Sequence, residues 1–423
     1  MPAHRRDFLR HSLAASSLVA LGESTVPSFL SRSALAARAD SGSSAQARIL
    51  IVVQLIGGND GLNSVVPHRM DGYLKGRRAL RLPSGQIHSL TKDIGLHPAM
   101  GQMARLVEDG RLAIIQGVGY PNPDRSHFRS MDIWESARMD LGAPETGWLG
   151  RLLDSRKELS ATDIPALHVG NRSLPVSLRA QSTEVPSLQS LEQYTLRLGG
   201  STAERDARRD AIDAAARVER KSDDPLLGFI QRSTLAAYTS SRKLEDVAKP
   251  KSGVKAETYP AYGLAQRLKV MAQIIKAGFG TRVFYTSLDG FDTHANQMGA
   301  HASLLGELSD SLAALHSDLK ASGDVDRVAV LVFSEFGRRV AENASQGTDH
   351  GAAAPVFVMG PIRSESRGLV GAHPSLEDLD DGDLKHHTDF RRVYAAVLEE
   401  WLNCPAESVL GKGFQPLPLF GRA

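Results

Sequence analysis

The stretch Ala47-Arg48-Ile49-Leu50-Ile51-Val52-Val53-Gln54-Leu55-Ile56 decides the fold: a near-continuous apolar, β-branched run that breaks abruptly at Gly57-Gly58-Asn59-Asp60-Gly61. A run without polar alternation has no face left for solvent, so it predicts a strand buried on both sides. Further runs predict strands at Leu112–Val118, Ala166–Val169, Thr281–Ser287, Val328–Phe333 and Ala354–Met359. Between them the apolar spacing is helical: around His97–Val107, at Tyr262–Ala277, and from Asp389 to Leu402. Leu304, Leu305, Leu308, Leu312, Leu315 and Leu319 fall three or four apart and predict one helix face, stopped by Gly323. Strands alternating with helices predict an α/β fold with a mainly parallel central sheet and helices on both faces.

The 423 residues are 42% hydrophobic and 23% charged, an ordinary globular balance that excludes disorder, collagen-like repeats and coiled coil. Fifty Lys and Arg face 48 Asp and Glu, which gives no basic excess and argues against nucleic acid as a partner. The single cysteine, Cys404, rules out an intramolecular disulfide and a cysteine-based metal cluster.

The charge excess sits in residues 1–36, where Arg5, Arg6, Arg10 and Arg32 outnumber Asp7 and Glu23. A charged start, a short apolar stretch from Ser12 to Gly22 and the small-residue ending Ala34-Leu35-Ala36 predict a signal peptide. Adjacent Arg5-Arg6 before Phe8-Leu9 resemble a twin-arginine export address, which a receptor reads and which is not an anchor. The expected partner is the twin-arginine export machinery, and the expected location is the periplasm or outside the cell. No other stretch approaches about 18 consecutive apolar residues, so no stable membrane anchor is expected. Residues 37–47 read as a linker, and 48–423 as a single α/β domain with a helical insertion at about 202–278, where Ala, Arg, Asp, Lys and Leu dominate from 202 to 247.

In open parallel sheets, ligands sit beyond the carboxyl ends of the strands. Acids and histidines collect there. Asp60 follows the first strand; Asp289, Asp292 and His294 follow another; Glu335, Arg338 and Arg339 follow a third; Asp349 and His350 precede Ala354–Met359. Carboxylates and imidazoles on one rim form an oxygen- and nitrogen-donor site for zinc, manganese or magnesium. A second cluster, Tyr120 to Ser130, follows Leu112–Val118 and enters a helix. Ser126 at its mouth is either an ordinary helix cap or a metal-activated nucleophile, with Arg125 and Arg129 holding an anion. His386 and His387 open the last helix and are candidates to reach back to the rim.

The strings QLIGGNDGLNSVVP, YPNPDRSHFRSMDIWE, DGFDTHANQ, SEFGRR and TDHGAAAPVFVMG together resemble the bacterial domain of unknown function 1501, over nearly all of the mature chain. That family is similar in turn to the alkaline phosphatase, sulfatase and cofactor-independent phosphoglycerate mutase superfamily. The resemblance implies an alkaline-phosphatase-like fold and one or two divalent ions. It implies that Asp60 binds one metal and that Ser126 is the nucleophile. It also implies that Asp292 and His294 bind the other metal, although only Thr293 separates them where the superfamily usually has three residues. The superfamily's Asp-His pair falls either on Asp349-His350 or on Glu335-Phe336. With the second placement, Phe336 cannot ligand a metal and His350 takes the final histidine position. The expected function is hydrolysis of a small anionic phosphate or sulfate ester. Asp60 and Glu335 would hold one ion, Asp292, His294 and His350 the other, and Arg338 would neutralise the anion. The rival is a binding or assembly protein that keeps the fold with a degenerate site. A periplasmic oxidoreductase loaded with a cofactor before export ranks last, for want of a Gly-x-Gly-x-x-Gly fingerprint.

Overall fold

Ile49–Ile56 forms the strand β1, and its residues from Ile49 to Leu55 are buried, as an apolar run without alternation requires. The computed structural model to which this strand belongs describes residues 47–139, 142, 144–155, 165–188 and 259–421. The leader, most of the linker and residues 202–258 of the expected insertion lie outside the described residues. No helix among the described residues is long and apolar enough to cross a membrane.

The elements that frame the site follow in chain order: helix α1 (Gly101–Glu108), strand β2 (Leu112–Gly119), helices α2 (His127–Ser136) and α3 (Trp148–Ser155), and strands β3 (Ala166–Val169) and β4 (Ser187–Leu188). Next come helix α4 (Gly263–Lys276), strand β5 (Val283–Asp289), helix α5 (Gln297–Ser322), and strands β6 (Val328–Ser334), β7 (Arg338–Glu342), β8 (Thr348–His350), β9 (Ala354–Met359) and β10 (Gly368–Val370). Strand β11 (Thr388–Asp389) leads into helix α6 (Phe390–Ala396), which continues as a π-helical turn through Trp401, and helix α7 (Ala406–Leu410) follows.

The main sheet runs β10-β2-β9-β6-β1-β5-β3-β4, with β11 also on β2. Every pairing is parallel except those of β9, which runs against both β2 and β6. One face packs on α1, α4 and α5, and the other on α2, α3, α6 and α7, so helices cover both sides. α4 belongs to the first of these layers: Leu264, Leu268, Met271 and Ile275 are buried in it, so the end of the 202–278 stretch is an integral part of the core. Gly323 ends α5 at φ +82°, a left-handed turn that glycine adopts without strain.

Register brings the site together. Leu55 of β1 stands opposite Ser334 of β6, and Ile56 opposite Asp289 of β5, so three strands end flush at one edge. Because β9 runs the other way, its first residue, Ala354, lies opposite Val118 near the end of β2. The segment before β9 therefore reaches the same edge as the segments that follow β1, β5 and β6. The β7–β8 hairpin pairs Arg338 with His350 and folds back over that edge.

Candidate metal centre

Close backbone approach builds the floor of the site. Gly57 has φ +118°, and a Cβ there would lie 2.4 Å from the Asp292 nitrogen, so only glycine lets the turn after β1 press against the loop carrying Asp292. Gly58 is equally confined by the ring of Phe336.

Four side chains converge on this floor. Asp292 Oδ1 lies 3.0 Å from His294 Nε2, 3.2 Å from His350 Nε2 and 3.4 Å from His127 Nε2. The Nε2 atoms of His294 and His350 are 2.9 Å apart. Each imidazole is held from behind through Nδ1. His127 Nδ1 is 2.8 Å from Glu335 Oε1, and His350 Nδ1 is 2.7 Å from the Arg125 carbonyl oxygen. His294 Nδ1 faces Asp349 Oδ1 at 3.5 Å. Carboxylate and carbonyl oxygens only accept, so at His127 and His350 the Nδ1 atom carries the proton and Nε2 is left to face inward as an acceptor.

Inward lone pairs facing a carboxylate repel one another unless a cation or proton lies between them. His127 Nε2 is buried and has no hydrogen-bond partner. The candidate ligand atoms of His127, Asp292 and His350 all lie within 4.8 Å of one another. Two imidazole nitrogens and one carboxylate in this group, with His294 Nε2 beside His350 and oxygens behind the imidazoles, have the chemistry of a metal donor set and its outer layer. The residues present fit a divalent ion. Three carboxylates, Asp292, Glu335 and Asp349, flank the cluster, with Arg338 paired to Asp292 and Arg339 acting on Asp349.

Electrostatics differ from ligand to ligand. Burial works against the Asp292 carboxylate, but the hydrogen bond and positive charge of Arg338 outweigh it and hold Asp292 at about 2. The hydrogen bond to Glu335 raises His127 above the ordinary histidine value. Burial lowers His350.

The structure thus brings together Asp292, His294 and His350 from the expected set, and gives four other expectations different positions. Asp60 is fully buried, and Arg77, also buried, holds both of its oxygens at 2.5 and 3.0 Å. Asp60 is therefore held in a buried ion pair and is not among the side chains that converge on Asp292, a position different from the one expected of it. Glu335 stands behind His127 and accepts from the Gly57 N–H at 2.8 Å, so it orients a ligand from outside. Asp349 is exposed, accepts from Asn343 at 3.1 Å and faces the outer nitrogen of His294. Arg338 is 1% exposed. It donates to the carbonyls of Gly58, Thr348, Gly57 and Phe291 and to Asp292 Oδ1 at 2.7 Å. A guanidinium so engaged cannot meet an incoming anion, and its role is to orient Asp292.

Ser126 is the exposed N-cap of α2, and its side chain makes no capping hydrogen bond. His386 lines a separate cleft, and His387 Nε2 bonds the Ala372 carbonyl at 2.8 Å, so neither histidine joins the cluster. The ring of Phe336 packs against His127 and His350, with centroids 4.8 and 4.7 Å away. His127 is the site residue that the sequence reading passes over, although it lies within the motif after β2. Its signal was its position: one residue past a helix cap, on the rim where the other ligands already lay.

A sequence profile described as Protein of unknown function (DUF1501) matches residues 47–362. No curated protein matches the chain. Among solved structures the chain is similar to the PsFucS1 sulfatase from Pseudoalteromonas sp., at 11% identity over 92% of this chain and 74% of that one, with a TM-score of 0.36. It is also similar to a protein in the alkaline phosphatase superfamily from Vibrio parahaemolyticus, at 10% identity over 74% of this chain and 60% of that one, with a TM-score of 0.34. A third likeness is the alkaline phosphatase of the Antarctic bacterium TAB5, at 11% identity over 76% of this chain and 94% of that one, with a TM-score of 0.26. Likenesses at this level carry nothing about chemistry.

Proposed function

The chain belongs to the DUF1501 family, and on that premise we propose that it is an exported, metal-dependent hydrolase of phosphate or sulfate esters. One observation carries the reading: the Nε2 atoms of three histidines turn inward on Asp292 Oδ1, each ring backed at Nδ1 by an oxygen acceptor. His127, Asp292, His294 and His350 would hold one divalent ion, of zinc, manganese or magnesium. The three nitrogen donors favour zinc or manganese over magnesium. When bound, the ion supplies a Lewis acid that polarises an ester oxygen and offsets the charge developing on it.

The chain's own residues then have separate tasks. Arg338 keeps Asp292 ionised and aimed. Glu335, Asp349 and the Arg125 carbonyl fix the three ring orientations. Ser126 presents an exposed hydroxyl one residue from His127 and is the proposed nucleophile. Its oxygen would bond to phosphorus or sulfur as the bond to the leaving oxygen breaks, the hydroxyl proton passing to that oxygen to release the alcohol, and water would then cleave the phospho- or sulfo-serine ester to free serine and inorganic phosphate or sulfate. A cleft of about 660 Å³ adjoins through Arg125 and has Asp381 and Asp383 in its wall, both paired to Arg125. It offers room for the alcohol part of the ester. Folded export through the twin-arginine machinery would let the ion load before translocation, and the mature protein would work in the periplasm or outside the cell.

The rival reading, a non-catalytic binding or assembly protein, draws on Phe336. Its ring fills space beside His127 and His350 with an apolar surface, leaving that side of the cluster without a further ligand. Metal analysis together with turnover on aryl phosphates and aryl sulfates separates the two. The hydrolase reading requires turnover that Ser126→Ala and Asp292→Ala each abolish. Turnover unchanged in both variants would sink the mechanism, and metal-free, inert, normally folded protein would favour the rival.

A further inference from the structure

Behind the ligand cluster lies a second layer of buried polar groups, and a single amide connects it. Gln297, the first residue of α5, is fully buried. Its Oε1 accepts from the hydroxyl of Thr293 at 3.0 Å and from that of Thr348 at 2.6 Å. Its Nε2 donates to Asp60 Oδ2 at 2.5 Å. Thr293 lies between the candidate ligands Asp292 and His294, and Thr348 lies two residues before His350 on β8. The amide therefore fastens together the two chain segments that carry three of the four ligands. A backbone bond from Thr348 N to the Thr293 carbonyl, 3.2 Å long, runs beside it.

The orientation of the amide is not free. Asp60 can only accept, so Nε2 must face it, and Oε1 must face the two hydroxyls. Asp60 is fixed in turn by Arg77, whose guanidinium also donates to the carbonyls of Val340 at 2.7 Å and Arg339 at 2.8 Å. Those carbonyls belong to β7, the strand paired with β8. Arg77, Asp60 and Gln297 thus form a closed buried bracket whose two ends both bear on the β7–β8 hairpin.

We propose that Gln297, locked by Asp60 and Arg77, is the positioning residue that sets the spacing between the Asp292–His294 pair and His350, and so tunes metal affinity. The inference rests on the metal-centre reading above. It also gives the Asp60 carboxylate a task at a distance from the metal. A bracket of this kind acts by holding ligand atoms at their bonding separation before the ion arrives, and outer contacts of metal ligands typically alter affinity 10- to 100-fold.

The test uses full-length mature protein titrated with cobalt(II), whose visible absorption reports ligand geometry. Thr348→Val and Gln297→Met should each bind cobalt at least about 10-fold more weakly and with an altered spectrum, whereas Thr348→Ser, which keeps the hydroxyl, should stay within about 2-fold of wild type. Thr348→Val is nearly isosteric, so it reports even where Gln297→Met folds poorly. Wild-type affinity and spectrum in Thr348→Val would overturn the proposal and leave the metal centre standing. Absence of cobalt binding by the wild type would overturn both.

Discussion

His127 Nδ1 and Glu335 Oε1 stand 2.8 Å apart, and the Glu335 oxygen also accepts the Gly57 N–H at 2.8 Å. The carboxylate is fully buried, so its position is set by the sheet edge and not by the solvent. Glu335→Gln keeps the size but replaces a charged acceptor with a neutral amide. The expected outcome is a 10- to 100-fold loss of metal affinity with the fold intact, measured by competition with a chromogenic chelator. An affinity equal to wild type would remove Glu335 from the site.

The turn after β1 makes a separate prediction. Gly57→Ala adds a methyl where φ is +118° and the Asp292 nitrogen lies 2.4 Å away. Both the left-handed backbone and the contact oppose it, so the variant should lose roughly 2 kcal/mol or more of stability and bind metal poorly. Denaturant unfolding and a metal titration check the two effects in one preparation.

The fully buried Asp60–Arg77 pair predicts a strongly destabilised fold when one partner goes. Arg77→Met should cost about 3–5 kcal/mol, because it leaves an unpaired carboxylate in the core. Replacing both, as Asp60→Asn with Arg77→Met, should cost less than Arg77→Met alone. A double-mutant cycle by urea unfolding measures the difference, and strict additivity would contradict the pairing.

Acid sensitivity follows from buried histidines away from the cluster. Burial brings His97, His168 and His301 down to about 4 from an ordinary value of 6.5. His97 Nδ1 accepts the Ala99 N–H at 3.0 Å, so protonation there would break that bond. Between pH 6.5 and 4 the unfolded chain binds protons that the folded chain refuses. Stability is therefore full above about pH 6.5, falls as the pH drops towards 4, and gains no further loss from these groups below that. The contribution of fully buried His301 is roughly 3 kcal/mol. Asp60 titrates below its ordinary 3.8 and extends the decline to lower pH. Unfolding free energies that stay flat from pH 7 to 4 would contradict this account.

The sheet was legible because its strands are read by one rule: Ile49–Leu55 and Val328–Ser334 are buried throughout and have no polar alternation. The antiparallel course of β9 was not, since the apolar run Ala354–Met359 looks the same in either direction. That reversal is what carries His350 to the rim. The strand-end rule also placed Asp292, His294 and His350 on one edge, where their side chains meet. It could not distinguish a carboxylate free to bind a metal from one already matched, because the partner of Asp60 lies 17 residues on, just past the short helix Asp71–Gly76, with no motif of its own. Arg338 was misjudged for a similar reason: its acceptors are mostly backbone carbonyls, which no residue pattern records. His127 was passed over because Ser126 beside it fitted a nucleophile.

The central claim is a single metal ion held by His127, Asp292, His294 and His350. The most direct measurement is calorimetric titration of metal-stripped mature protein with zinc, alongside the His127→Ala variant. One ion per chain is expected in the wild type and an affinity at least about 100-fold lower in the variant, whose fold is unchanged by circular dichroism. Equal affinity in the two proteins, or no saturable binding in the wild type, would contradict it.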